Sequence, residues 1–364
     1  MEKVKLGEYV NIKTGKLDAN TSDINGKYPF FTCSKEPLLI NNYSYDCESV
    51  LVAGNGNLNV KYYNGKFDAY QRTYIIESKD KQILNTKYLY YLINSRIGKL
   101  RRDSIGGVIK YIKLGNLTNI EFLLLGMSEQ SKIVRILDEI QLIIDIRKKQ
   151  IGELDELIKS QFVEMFGDPY FNRYNWKIGT IRELVSDVRY GTSKPSTEGG
   201  KYKYLRMNNI TYNGKLDVTD IKYIDIPDNE IEKCSTKKGD ILFNRTNSRE
   251  LVGKTCVFDL DEKMVIAGFV IRVRVNELSN PYFLSEYLNT KYMKKNLYNM
   301  CKNASGQSNI NAQELQNIKI YIPPIELQNQ FADIVKQIDK QKFEIQKNLE
   351  EMQNLQESLM NKYF

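Results

Sequence analysis

The 364-residue sequence predicts an α/β fold in which two globular α/β domains are separated by two long antiparallel coiled-coil helices, related by a pseudo-twofold internal repeat. Three observations carry that expectation. The chain repeats its own order of elements; each globular part ends in a long helical segment with a narrow apolar seam; and the globular parts alternate strand-like apolar runs with polar loops.

The repeat is clearest where each globular part ends. "ASGQSNINAQELQNIKIYIPPIELQNQF" (304–331) keeps the order of "GGVIKYIKLGNLTNIEFLLLGMSEQSKI" (106–133): a glycine loop, a helix-like turn, an apolar strand and a helix start. The offset that sets Leu117, Asn119 and Ile120 on Leu315, Asn317 and Ile318 also sets Gln130, Ile136 and Ile140 on Gln328, Ile334 and Ile338, and carries through to Phe166 on Phe364. At the other end "VKLGE" (4–8) matches "WKIGT" (176–180) at a shorter offset, so the second copy holds extra residues before its glycine loop. The implied boundaries are 1–127 for the first domain, 128–167 for the first helix, 168–323 for the second domain with its linker 168–175, and 324–364 for the second helix.

Within the first domain "SVLVAG" (49–54) and "RTYIIES" (72–78) read as strands and "NTKYLYYLINS" (85–95) as a helix. The first long helix carries Ile133, Leu137, Ile140, Ile144, Ile151, Leu154 and Ile158, in alternating steps of four and three interrupted at Arg147. "GDPYFNRYN" (167–175) punctuates it and opens the second domain. There "DILFNR" (240–245) and "VIAGFVIRVRV" (265–275) read as strands and "NPYFLSEYLNT" (280–290) as a helix. The second long helix repeats the seam with Phe331, Val335, Ile338, Ile345, Leu349, Met352 and Leu359, broken at Lys342 and Gln356. Polar residues fill the rest of both circumferences, which suits a partner helix better than a sheet; packing of each helix on its own domain is the competing reading. Arg147, Gln161, Lys342 and Gln356 are candidates for fixing register, the alternative being that they face solvent with Arg147 and Lys342 laying their stems along the seam.

Composition narrows the chemistry. The net charge of +8 is compatible with an acidic partner, nucleic acid first, and equally with an inert protein. Histidine is absent, which excludes Ser-His-Asp and Cys-His catalysis, histidine-ligated zinc and histidine bases. Cys33, Cys47, Cys234, Cys256 and Cys301 form no C-x-x-C pair and read as reduced core thiols. The start "MEKVKLGEYV" lacks an apolar signal core and no uncharged apolar run approaches the roughly 18 residues of a membrane span, so a cytoplasmic protein is expected.

The loops share a composition suited to nucleic acid. In the second domain the candidates are Arg189, Tyr190, Thr192, Ser193 and Lys194 of "VRYGTSKPS"; Arg206, Asn208 and Asn209 of "LRMNNIT"; Asn244, Arg245, Asn247, Arg249 and Lys254 of "NRTNSRELVGKT"; and Ser305, Gln307 and Asn309 of "ASGQSNI". Such side chains donate to phosphate and pair with purine edges, and Glu250 is the one acid inside these four stretches. The first domain offers Lys13 and Lys16 ("NIKTGKL"), Lys35 ("TCSKEP"), Asn55, Asn57 and Lys61 ("GNGNLNVKYYNGKF"), Gln71 and Arg72 ("YQRTY") and Lys110 ("GGVIKYIK"). The two sets differ, so two DNA-binding domains would read different sequences. Ordinary solvated loops are the alternative.

Catalytic patterns are missing. The sequence has no G-x-x-x-x-G-K-[ST] loop, no G-x-G-x-x-G between strand and helix, and no N-P-P-Y-like tetrad for methyl transfer to a base nitrogen. A nuclease pattern can be assembled from Pro227, Asp228, Asp261 and Lys263 only at loose spacing.

These features together resemble the DNA-specificity subunit of type I restriction-modification systems. The residues that carry the resemblance are "WKIGTIREL", "GDILFNRTNS" followed by "LVGKT", and "SGQSNINAQELQNIKIYIPPIELQNQ" leading into a helix. The first copy has weaker versions in "VKLGEYV", "SVLVAGNGN" and "MSEQSKIVRILDEI", without the double proline; Glu129 and Gln130 stand where the second copy has Leu327 and Gln328. The resemblance implies two target-recognition domains on antiparallel spacer helices, no catalysis and no cofactor in this chain, and binding to double-stranded DNA. It also implies two adenine-N6 methyltransferase subunits using S-adenosylmethionine and two restriction subunits using ATP with magnesium. A spacer of about 36 residues would span roughly 54 Å, some 16 base pairs, giving a bipartite, asymmetric site with an unread gap. The alternatives are a scaffold built on the coiled coil, which would not bind DNA, and a metal-dependent nuclease acting through Asp228, Asp261 and Lys263.

Overall fold

The computed structural model describes residues 3–301 and 308–364, and the chain forms two compact units, Met1–Lys149 with Gln346–Phe364, and Gln150–Ile345. The long helices Met127–Phe166 and Ile325–Tyr363 each contribute one end to either unit.

In the first unit a six-stranded sheet runs in the order Val10–Thr14, Thr73–Ser78, Tyr45–Ala53, Val60–Ala69, Tyr28–Phe31, Leu38–Ile40. All neighbours are antiparallel except Val60–Ala69 and Tyr28–Phe31. Successive side chains point to opposite faces of a strand. Val50, Val52 and Ile76 therefore pack under the helix Thr86–Ser95 with Tyr88, Leu89 and Leu92, while Leu51 and Ile75 meet Phe31 and Phe67 on the other face. Burial on both sides accounts for the uninterrupted apolar run of "SVLVA".

The second unit follows the same path in two smaller sheets. Val185–Tyr190, Val270–Val275, Asp240–Asn244 and Thr255–Phe258 are antiparallel neighbours; Val265–Ile266 pairs parallel with Tyr202–Leu205, which pairs antiparallel with Lys222–Ile224. The run 265–275, expected as one strand, is two. A turn at Gly268 and Phe269, closed by the Val270 amide on the Ala267 carbonyl at 2.8 Å, separates them. Each unit is closed by its first strand pairing with its last, Lys3–Lys5 with Glu121–Leu123 and Lys177–Thr180 with Lys319–Ile322.

The repeated glutamine has a repeated task. Gln130 and Gln328 are both 0 % exposed. Gln130 Oε1 accepts from the Asn85 amide at 2.9 Å and its Nε2 donates to the carbonyls of Ile83 and Leu125, each at 2.8 Å. Gln328 Oε1 accepts from the Asn280 amide at 2.9 Å and its Nε2 donates to Leu278 (3.2 Å) and Pro323 (2.8 Å). Asn85 and Asn280 cap the helices Thr86–Ser95 and Pro281–Asn289 through their side chains, so each glutamine ties the start of a long helix to a capped helix of the domain before it.

Along the seam Ile133, Leu137, Ile140, Ile144 and Ile158 are buried and Ile151 and Leu154 half-buried; so are Phe331, Val335, Ile338 and Leu349, with Ile345, Met352 and Leu359 half-buried. The helix ends also enter the domain cores. Ile133 and Leu137 join the first core with Met360, and Ile158, Phe331, Val335 and Ile338 join the second with Phe162, Phe166 and Phe283. Packing on the domain and packing on the other helix are thus both present. Polar contacts cross between the helices, among them Gln356 donating to Gln141 at 3.0 Å in the first unit and Lys342 pairing with Asp155 in the second. Two heptads separate these contacts on either helix, the register of an antiparallel pair. Gln161 instead bonds Glu164 of its own helix, and Arg147 is half-buried.

Candidate nucleic-acid interface

One corner recurs in both units, built by the same backbone hydrogen bonds. In the first unit Gly54 donates to Arg72 O (2.8 Å), Ile112 to Gly54 O (2.9 Å), Thr73 to Tyr70 O (2.8 Å) and Gly15 to Thr73 O (3.0 Å). In the second, Arg245 donates to Phe269 O (2.9 Å), Ile310 to Arg245 O (2.9 Å), Val270 to Ala267 O (2.8 Å) and Gly191 to Val270 O (3.2 Å). Two parallel bridges, Leu17 with Tyr70 and Thr192 with Ala267, complete the match. Glycine is required at the crossing. A Cβ on Gly15 would lie 2.1 Å from the Ala69 carbonyl oxygen, and one on Gly191 2.2 Å from that of Ile266.

The side chains on this shared frame differ. In the first unit a cavity of about 310 Å³ is lined by Thr14, Gly54, Gln71, Arg72, Tyr74 and Tyr111, with Gln71 and Arg72 exposed and Asn55 bridged to Tyr111. In the second, the guanidinium of Arg245 lies 4.8 Å over the ring of Tyr190 and its Nη1 reaches the Gly268 carbonyl at 3.3 Å. Tyr190 is itself fixed, its hydroxyl accepting from the Ala312 amide at 2.8 Å. Thr246–Asn247 pairs with Ser308–Asn309, and Thr246 Oγ1 donates to Asn309 Oδ1.

Several other candidates stand outward in weak surface pairs. Lys13 meets Glu77 (2.7 Å), Arg189 meets Asp187 (2.8 Å) and Lys194 meets Glu230 (2.9 Å). The basic side chains are 49 %, 59 % and 43 % exposed. Lys16, Lys35, Lys110, Ser193 and Asn208 are exposed, and Thr192 is half-buried with its Oγ1 accepting from the Lys194 amide. Asn57 is exposed and accepts from Arg101. Arg249 lies 4.1 Å over the ring of Tyr298.

Four candidates are turned inward and bonded to the loops around them. Asn209 is buried, its amide accepting from Arg206 N and donating to the carbonyls of Asp217 and Asp220. Asn244 is buried too, donating to Thr246 O and accepting from Asn247. Lys254 is drawn inward onto the Met207 carbonyl at 2.8 Å, and burial lowers its pKa. Lys61 is half-buried on Asn59, again with a pKa lowered by burial. Side chains in such positions serve the loops that hold them, because a buried polar group must keep its partners. Arg206 is intermediate: its Nη2 bonds the carboxylate of Asp220 (2.9 Å) and the carbonyl of the same residue (3.2 Å). Ser305 and Gln307 lie outside the described residues.

Sequence reasoning missed three contributors. The basic helix Ile97–Arg102 sets Arg101 on Asn57 and on the Leu58 carbonyl (2.8 Å), and its "KLRR" charge run was the available signal. Phe269, 49 % exposed, sits at the tip of the turn that a continuous strand had concealed. Beneath the second corner Arg272, 1 % exposed, binds Asp187 at 2.7 Å and the Ser235 carbonyl, while Arg274 holds buried Asp240 at 2.8 Å. Burial raises the Asp187 carboxyl pKa, but hydrogen bonds from Arg272 and Arg189 outweigh it and leave the group below the ordinary carboxylate range.

The nuclease residues are spent separately. Asp228 pairs with Lys201, Asp261 with Lys238 and Lys263 with Glu232, all on the surface. No group of three potential metal ligands occurs among the described residues. A larger cavity of about 940 Å³ in the second unit includes Glu286, Lys294, Lys215 and Asp339 and none of the DNA-binding candidates. Among the described residues no helix is long and apolar enough to cross a membrane.

A duplicated α/β domain, carried on paired long helices and presenting one backbone corner with two different sets of polar side chains, defines a two-headed recognition protein. The family model for the type I restriction modification DNA specificity domain matches residues 1–156 and 174–352, and the chain belongs to that family. It is similar to the type I restriction enzyme EcoDI specificity subunit of Escherichia coli, 40 % identical over 156 residues, which is 43 % of this chain and 34 % of that relative's length. It is also similar to the type I restriction enzyme MjaVIII specificity subunit of Methanocaldococcus jannaschii, 24 % identical over 393 aligned positions covering 97 % of this chain and 91 % of the other. The S subunit of a type I restriction-modification system from M. genitalium shares the fold, with a TM-score of 0.62 at 18 % identity over 100 % of this chain and 96 % of that one.

Proposed function

We propose that this chain is the sequence-reading subunit of a type I restriction-modification complex and performs no chemistry itself. Each unit reads one half of a bipartite DNA site, and the helix pair sets an unread gap between the halves. The observation that carries this is the repeated corner: one frame holding Gln71, Arg72 and Asn55 in the first unit and Arg245, Tyr190 and Asn309 in the second. Identical frames with different donors and acceptors meet different base edges, so the site is asymmetric.

Catalysis belongs to partners in this reading. Two adenine-N6 methyltransferase subunits with S-adenosylmethionine, and two restriction subunits with ATP and magnesium, assemble on the chain. A target base must leave the stack to be methylated, so the reading subunit supplies position and the partner supplies the pocket. Helices of 40 and 39 residues are about 60 Å long at 1.5 Å per residue, more than one turn of duplex.

The test is a genome-wide map of N6-methyladenine in the source cells with and without this gene, the methyltransferase being expressed in both. Loss of one gapped, asymmetric motif on deletion supports the proposal. An unchanged map refutes it.

A further inference from the structure

The tip of the repeated corner is a turn of four residues, Tyr70–Thr73 in the first unit and Ala267–Val270 in the second. Its ends are fixed identically, by the Thr73 amide on Tyr70 O and the Val270 amide on Ala267 O, both at 2.8 Å. Its inner face is fixed as well: the Gln71 amide donates to Leu17 O (2.9 Å) and the Gly268 amide to Thr192 O (2.8 Å). All four residues differ between the units, but the end positions, Tyr70 and Thr73 against Ala267 and Val270, are held by the same backbone bond, and the two central residues form the exposed tip. They are Gln71 and Arg72 in one unit, Gly268 and Phe269 in the other.

Phe269 is unusual in its place. It is half exposed at the tip of a predominantly polar loop set, beside Arg245 and Tyr190, and it forms no aromatic pair among the described residues. Its backbone is anchored and its ring half exposed: the carbonyl accepts from Arg245 N (2.9 Å) and Asn244 Nδ2 (3.4 Å). A phenyl ring held out beside an arginine matches an apolar base feature in the major groove, the thymine methyl, whereas glutamine and arginine match the hydrogen-bonding edges of adenine and guanine.

We propose that this two-residue turn is a specificity determinant in each unit, with Phe269 contacting a thymine methyl in one half-site and Gln71 with Arg72 reading a purine edge in the other. The inference rests on the proposed function, that the corners face DNA. Gly268 is not imposed by the backbone, because a Cβ there would meet its nearest atom, Thr192 O, at an ordinary 3.4 Å. The turn can therefore be exchanged without disturbing its frame.

The experiment replaces the gene in its own cells by alleles encoding Phe269→Ala, Phe269→Leu, Arg72→Ala and the graft Gly268→Gln with Phe269→Arg, and maps N6-methyladenine for each. Phe269→Ala should reduce discrimination about tenfold at one thymine position of one half-site, with the other half unchanged. Phe269→Leu, still apolar, should keep the thymine preference. Arg72→Ala should relax one position in the opposite half, and the graft should change the base preferred where Phe269→Ala relaxed it. A motif unchanged by Phe269→Ala, or methylation lowered evenly at all sites, overturns the proposal and makes Phe269 a structural or protein-contact residue. If the unaltered chain directs no gapped motif at all, the specificity-subunit reading fails first.

Discussion

Replacing Gln328 by leucine tests the lock between domain and helix. Leucine nearly fills the volume but leaves three backbone groups without this partner: the buried Pro323 carbonyl and the part-buried Asn280 amide and Leu278 carbonyl. Each lost partner costs about 1–3 kcal/mol, so the sum of roughly 3–9 kcal/mol is comparable to the roughly 5–15 kcal/mol stability of an ordinary domain. Asn280 caps its helix and also donates to Asn329 at 2.8 Å, so release of its amide frays that helix as well. Trp176, the chain's one tryptophan, packs on this core and donates its indole N–H to Phe166 O at 3.0 Å, so urea unfolding read by its fluorescence reports on the second unit. Gln328→Glu separates hydrogen bonding from packing. It keeps the acceptor for Asn280 but turns a carboxylate toward two carbonyls, and should lose more than leucine does. The matched Gln130→Leu should speed hydrogen exchange at the Asn85 amide in the first unit. A loss below about 1 kcal/mol for Gln328→Leu would refute the reasoning, since all three groups would then have found other partners.

Arg245→Ala should relax preference at one position of one half-site by about 1–3 kcal/mol in competition binding of the assembled complex to site variants, leaving the other half unchanged. Arg206→Ala, by contrast, frees Asp220 and should lower thermal stability and weaken all sites evenly; a base-specific effect would show that its Asp220 contact opens on DNA. Asp155→Asn strips the partner from half-buried Lys342 and should cost about 1–3 kcal/mol in denaturant unfolding, whereas leucine at both positions should restore most of the loss. Lys294, pushed down to about 8 by burial, sheds its proton in the folded state before the unfolded chain does near 10.4. Between those values the unfolded state holds more protons, so stability should rise with pH from about 8 to 10, and Lys294→Met should flatten the rise; an unchanged slope would place the titration elsewhere.

The architecture was legible because it is periodic. A heptad seam shows in any frame that counts by sevens, and the offset placing Gln130 on Gln328 announced the hand-over from domain to helix before its hydrogen bonds were visible. Strand runs showed for the same reason, apolar on both faces. What remained hidden is aperiodic. "VIAGFVIRVRV" reads as one strand because nothing in its apolarity marks the turn that Gly268 and Phe269 make. Composition selected the polar loops but could not divide them: Asn208 is exposed and its neighbour Asn209 buried, although both are asparagines in one loop. Long-range partners decide such cases, as Asp217 and Asp220 do for Asn209.

Under the proposed function, the same division lets one fold hold two specificities. The frame is set by backbone hydrogen bonds and by glycines that admit no side chain, Gly15 and Gly191, so almost any change there is felt by the whole corner. The tip carries exposed side chains, Arg72 and Phe269, and substitutions at exposed positions ordinarily shift stability by no more than about 0.5 kcal/mol. Mutations that destroy the fold and mutations that alter what it reads therefore fall at different positions a few ångströms apart. Two copies of one ancestral unit can keep their frames identical while their tips diverge, and the glutamine lock keeps each diverging tip attached to a helix start of unchanged geometry.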